Sequence, residues 1–148
     1  MSASTLCMVS AGSFLLIGLV TGTWKYIWIA RSPDGRAPVY VDIAHRASLM
    51  YAFACTLLAR LTEDSAWSNA VNVAASAVVI TFFGLAVLSY VVHGALRDTD
   101  NQLLPPHRVG ARPVSRATMI AMMIALIVGE IGGFTVIFAG YLVQSLAR

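Results

Sequence analysis

Apolar residues gather along this chain in four long blocks, parted by short polar stretches. The blocks lack the strict alternation of a strand or of a membrane β-barrel, so helices are expected. A helix needs about 20 apolar residues to cross a bilayer. Each block supplies that length, over about 5–30, 41–61, 69–96 and 116–146. The pattern predicts an all-α integral membrane protein, one domain over residues 1–148 built as a four-transmembrane-helix bundle.

The breaks between blocks read as loops. Arg31–Val39 (RSPDGRAPV) is rich in turn formers, and Thr62–Ser68 is a short acidic link. Arg97–Ser115 is the longest, with three prolines, a length typical of lids or binding segments. Within the blocks small residues recur at intervals of four: Gly18 and Gly22, then Ala44, Ser48 and Ala52, then Gly129 and Gly133. Such seams let helices approach closely. In the third block Asn69, Asn72, Ser76, Val79, Phe83, Ala86, Tyr90, His93 and Arg97 form one stripe, polar at both ends, expected to face the bundle interior. Trp24, Tyr26 and Trp28 read as an interfacial belt with Lys25 snorkelling beside them.

Composition agrees. Of 148 residues 58% are hydrophobic and 11% charged, with a mean hydropathy of +0.76, which excludes an ordinary soluble domain. The pI of about 9.2 does not point to nucleic acid, because the basic residues have a topological explanation. Lys25, Arg31, Arg36, Arg46, Arg97, Arg108, Arg112 and Arg116 flank the first and third loops, against Arg60 and Arg148 on the other side. Positive residues stay inside, so both termini are expected on the non-cytoplasmic side of a bacterial inner membrane. The bilayer is then the main partner, and no nucleic acid is expected. Cys7 and Cys55 fall within apolar runs and read as small core residues. The first block has no preceding positive charge and overruns any cleavage site, unlike a signal peptide.

Candidate chemistry centres on Tyr40–Tyr51, YVDIAHRASLMY, where an acid, a histidine and an arginine enter an apolar segment. Ionisable groups at that depth are costly and usually functional. His45, His93 and His107 all fall on the cytoplasmic side, with His45 and His93 about one turn inside their helices. Imidazole in apolar surroundings suits haem iron, zinc or copper. Haem matches best: apolar walls for the macrocycle, and Arg46, Arg97, Arg108 and Arg112 for its carboxylates. Zinc would draw further ligands from His107, Asp42, Asp98 or Asp100. The competing reading is a histidine that only bonds a carbonyl or a neighbouring helix. Glu130, near mid-membrane, reads as a proton-relay or substrate acid, or equally as a neutral hydrogen-bonded carboxyl. Asp98-Thr99-Asp100-Asn101 resembles part of a calcium loop but lacks its glycine and terminal glutamate, so a solvated turn is expected. Met119, Met122 and Met123 read as core packing.

The order of features resembles the styrene oxide isomerase family, four-helix membrane enzymes that carry haem b and rearrange aryl epoxides to aldehydes. The shared features are a Trp closing helix one, the Ser32-Pro33-Asp34-Gly35 loop, the Ala44-His45 pair, and Tyr90 ahead of a long polar loop with Asn and Pro. The resemblance implies His45 as axial haem ligand, Tyr90 as active-site tyrosine, and a homotrimer with haem near the subunit interface. Iron in that family acts as a Lewis acid on the epoxide oxygen. The chain departs from the family at Tyr51, where an asparagine is expected, and at Phe82 or Phe83, where a carboxylate is expected.

The leading expectation is therefore a haem b protein, an isomerase acting on a small lipophilic epoxide-like substrate. Its catalytic side chains would be Tyr90 and Tyr51, with His45 as the metal ligand and Arg46 and Arg97 holding the cofactor. The alternatives are an electron carrier with His93 as a second axial ligand, and a structural or assembly subunit of a membrane complex. A glutathione-using trimer finds no matching arginine–histidine–asparagine–glutamate pattern here.

Overall fold

Serines open three of the helices. Ser2 accepts the Thr5 N–H ahead of α1 (Ala3–Arg31), Ser68 that of Val71 ahead of α3 (Asn69–Leu96), and Ser115 that of Thr118 ahead of α4 (Arg116–Leu146). Each hydroxyl satisfies a first-turn donor that has no partner inside its helix. Helix α2 (Val39–Glu63) starts differently: the Pro38 carbonyl accepts from the Val41 and Asp42 amides at 3.0 and 3.2 Å. The computed structural model describes residues 1–147, so Arg148 lies outside the described residues. Before α4 the chain adds a two-stranded antiparallel hairpin, β1 (Arg108–Val109) and β2 (Arg112–Pro113), turning at Gly110 with φ +58°. Helices α3 and α4 span the predicted residues; α1 and α2 run one or two residues further at each end.

Among the described residues there are four helices, and three of them, α1, α3 and α4, are long and apolar enough to cross a membrane. They mark a membrane protein. Helix α2 does not qualify, because it carries Asp42, His45, Arg46, Arg60 and Glu63. It is nonetheless the packing centre. It touches α1, α3 and α4, whereas α1 and α4 do not meet among the described residues.

The helices alternate in direction. Ser4 Oγ donates to Glu63 and the Ala3 amide to Asn69 Oδ1, placing the start of α1 beside the end of α2 and the start of α3. Trp67 Nε1 donates to the Val136 carbonyl and the Ala66 amide to that of Gly140, so α4 finishes at this same end. The opposite end gathers the finish of α1 and α3, the start of α2 and the hairpin loop.

The small-residue seams lie inside the chain. Ala44, Ser48 and Ala52 are buried, and a Cβ on Gly22 would sit 2.8 Å from the His45 ring. The α3 stripe is buried from Asn72 through Ser76, Val79 and Ala86 to His93. Cys7 and Cys55 are free, buried thiols in the core. In α4 only Gly133, Ile137 and Gly140 are buried, and its other faces turn Ile, Val and Phe outward, as a lipid-facing helix does.

A Cβ on Gly133 would lie 2.9 Å from the Ala75 carbonyl oxygen, a backbone atom that cannot swing away, whereas one on Gly132 meets nothing within 4 Å. Both alanine variants gain the same helix propensity, so their difference reports packing. Gly133→Ala is expected to be less stable than Gly132→Ala by about 1–3 kcal/mol in thermal unfolding followed by circular dichroism. Equal stabilities would mean that α4 is not seated on α3 through Gly133.

Candidate functional site

His45 projects from the second turn of α2 into the glycine seam of α1. Its Nδ1 lies 2.8 Å from the Gly18 carbonyl oxygen, and its ring packs over Gly22. A carbonyl only accepts, so Nδ1 is the donor, and a neutral ring in this tautomer has its lone pair on Nε2. That is the orientation a metal-ligating histidine adopts when a second partner holds its other nitrogen. The imidazole is half-buried. Beside it, Asp42 binds Lys25 Nζ at 2.5 Å and Arg46 at 2.9 Å. The Arg46 side chain is 65% exposed, so this pair contributes at most about 1 kcal/mol. Its role is to hold two cations over one carboxylate, with guanidinium donors left over.

His93 sits elsewhere. Its ring is buried at the end of α3, tilted against Tyr40 with centroids 5.2 Å apart. Its Nδ1 lies 2.7 Å from Asp98 Oδ1, and both side chains are under a tenth exposed. Asp98 Oδ2 accepts the Gly110 N–H at 2.5 Å, tying the hairpin to α3. The loop is fastened twice more. The Gln102 amide donates to the Tyr40 hydroxyl at 2.6 Å, and Ser89 Oγ donates to Gln102 Oε1 at 2.6 Å. Tyr90 stacks on Tyr40 with centroids 6.0 Å apart. Arg97 closes α3 in the left-handed region at φ 52°, its N–H on the His93 carbonyl at 2.8 Å. That conformation costs a non-glycine residue about 1 kcal/mol. Its guanidinium lies 5.1 Å from the Trp28 ring centroid, a contact of about 0.5–1 kcal/mol that offsets most of the strain.

Tyr51 is set into an aromatic cluster. It stacks on Phe83 with centroids 4.0 Å apart and 12° between planes, and Phe14 packs on both rings. The expected site residues thus fall into separate groups. His45 and Arg46 sit on the α1–α2 seam. His93, Tyr90 and Arg97 cluster under the loop. Tyr51 lies in the interior between α1, α2 and α3. The two imidazoles have different partners and different neighbours.

No family model matches this chain, and no curated protein or solved structure is significantly similar to it. Its chemistry is read from its own residues. No three His, Cys, Asp or Glu side chains converge as a metal-binding group among the described residues, so the zinc alternative finds no donor set. Haem iron can be held by a single protein ligand, so the lack of a three-residue donor group does not bear on the haem expectation.

Two roles were not legible in the sequence. Asp98, expected in a solvated turn, is instead the buried partner of His93 and Gly110. Tyr40 is the post on which the long loop is anchored. Neither spacing is a helical or strand period, so periodicity carries no sign of them.

Burial opposes ionisation of Asp98, but the hydrogen bonds from His93 and Gly110 outweigh it and hold the carboxyl below the ordinary value of 3.8. A depressed folded value stabilises above the unfolded pKa, and that contribution is lost as pH falls through the folded value. Hydrogen exchange over residues 108–113, corrected for intrinsic rates, should therefore accelerate only below about pH 4 in the native protein. Asp98→Asn should destabilise the loop by about 1–3 kcal/mol and abolish the acid step. An acid step that survives the substitution would assign it to another group.

Proposed function

We propose that this chain is a four-span integral membrane protein that binds haem b through His45, in the manner of the styrene oxide isomerases it resembles. The observation that carries the reading is the Nδ1 contact of His45 with the Gly18 carbonyl, which leaves Nε2 to serve as axial ligand. His93 is not assigned this role, because its ring is buried at the end of α3 and enclosed beside Tyr40. With His45 as the chain's single ligand, bound haem would keep its iron accessible to substrate, which would favour catalysis over electron transfer.

In this arrangement α2 crosses the bilayer sheltered by α1, α3 and α4. Both termini are non-cytoplasmic, and the arginine-rich loops face the cytoplasm of a bacterial inner membrane. Bound haem supplies a Lewis-acidic iron suited to isomerising a small lipophilic epoxide-like substrate. The chain's own residues position and shield. Arg46 retains donors for a haem carboxylate, and Arg97 sits at the same membrane face on Trp28. Tyr90, under the loop, and Tyr51, in the interior, keep phenol donors for a substrate, in groups set apart from His45. His45 is half-buried on the α1–α2 seam, and the resemblance implies a homotrimer with the cofactor near the subunit interface.

Detergent-purified protein should show a Soret band, lost in His45→Ala and kept in His93→Ala. Gly22→Ala, whose new Cβ would crowd the His45 ring at 2.8–2.9 Å, should weaken haem retention by about tenfold. A flat visible spectrum that adding haem does not change would sink the reading. Loss of haem from His93→Ala with His45→Ala unaffected would reverse the ligand assignment.

A further inference from the structure

A different part of the molecule holds an unanswered polar group. Midway along α4, Glu130 borders a cavity of 240 Å³ whose walls are Ala54, Leu57 and Leu58 of α2, Val79 and Phe83 of α3, and Phe134 of α4. Glu130 is the one ionisable side chain lining it. Leu57 and Ile131 at its edge are 52% and 63% exposed, so the cavity opens on the flank of the helices, where lipid would lie. Glu130 Oε1 is buried, yet it finds no hydrogen-bond partner among the described residues. Buried polar atoms without partners are rare and costly, and each one asks for an explanation.

We infer that this cavity binds a single-ring lipophilic molecule with one hydroxyl, a phenol or benzylic alcohol, whose O–H donates to Glu130. Size sets the class. An apolar cavity of about 150 Å³ holds benzene, and 240 Å³ leaves room for a ring with a short substituent. Phe83 and Phe134 offer faces and edges to that ring. A carboxyl keeps an acceptor oxygen whether ionised or protonated, so a neutral hydroxyl suffices. An ammonium group would bring a second charge into apolar surroundings. The inference is independent of haem at His45, whose imidazole does not line this cavity.

The test is isothermal titration of the full chain in phosphatidylcholine nanodiscs with 4-ethylphenol and with its methyl ether, 4-ethylanisole. The native protein should bind the phenol at least about tenfold tighter, a preference falling to within about twofold in Glu130→Leu and persisting in Glu130→Gln, which keeps a carbonyl acceptor. Ala54→Leu fills the cavity and should weaken both probes by about tenfold or more. Equal binding of the two probes, no binding of either, or a preference that survives Glu130→Leu overturns the assignment. Should Glu130→Leu fail to fold, Ala54→Leu decides. Phenol binding that it leaves unchanged is partition into lipid and overturns the proposal.

Discussion

The close approach of α1 to α2 is the contact on which the rest depends. Gly18 and Gly22 lack side chains where Leu49 and His45 need space, and a Cβ on either would stand 2.6–2.8 Å from those groups. Because the helices meet so closely, the Gly18 carbonyl is within reach of an imidazole on the neighbouring helix. That carbonyl already accepts a helical N–H and lies 3.1 Å from the Thr21 hydroxyl, and His45 is a further, shorter contact to it. One packing seam therefore joins two helices and also selects the tautomer of the histidine. A bulkier residue at Gly22 would disturb both at once.

The remaining polar groups obey the same rule, that nothing polar is left unpaired in apolar surroundings without cost. Several serines and threonines within the helices donate to carbonyls one turn back, as Ser48 does to Ala44 at 2.7 Å and Thr21 to Ile17 at 2.7 Å. His93 and Asp98 answer each other and draw in the hairpin. Tyr40 lends its hydroxyl to the loop. Two buried atoms are left without a partner among the described residues, Ser76 Oγ and Glu130 Oε1, and of these Glu130 lines the lipid-side cavity. The contrast with His93 is informative: both lie on apolar helices, yet only one was given a partner by the chain itself.

What the sequence disclosed followed periodicity. The four helices rest on the length of the apolar blocks, and the buried stripe of α3 and the glycine seams on repeats of three or four residues, which survive in the structure because packing obeys the same geometry. The ends of α1 and α2 were less legible, since Pro38 and Ser2 set them through caps and not through hydrophobicity. The site was legible only in part. His45 stood out as an ionisable group in an apolar segment, but that it faces α1 and not His93 depends on which helix occupies each side of α2. Asp98 looked like a solvated acid because nothing local shows that the hairpin folds back over it. Such pairings are set by loop closure, and loop closure leaves no period to read.

Helix α2 shows why composition alone misjudges a membrane helix. Its charges keep it from qualifying as a span, whereas α4, with three buried residues, qualifies readily. Hydropathy measures what a helix would cost if lipid surrounded it. In the proposed four-span arrangement lipid meets α2 along one face, that of Met50, Phe53 and Leu57, and the other helices cover the rest. Its small seam of Ala44, Ser48 and Ala52 faces protein, and Asp42 is neutralised by Lys25 and Arg46 at the membrane edge. Apolar outer helices thus permit polar side chains on the central one. A catalytic or cofactor-binding histidine is then most economically placed on α2, where neighbouring backbone can orient it and neighbouring helices can shield it.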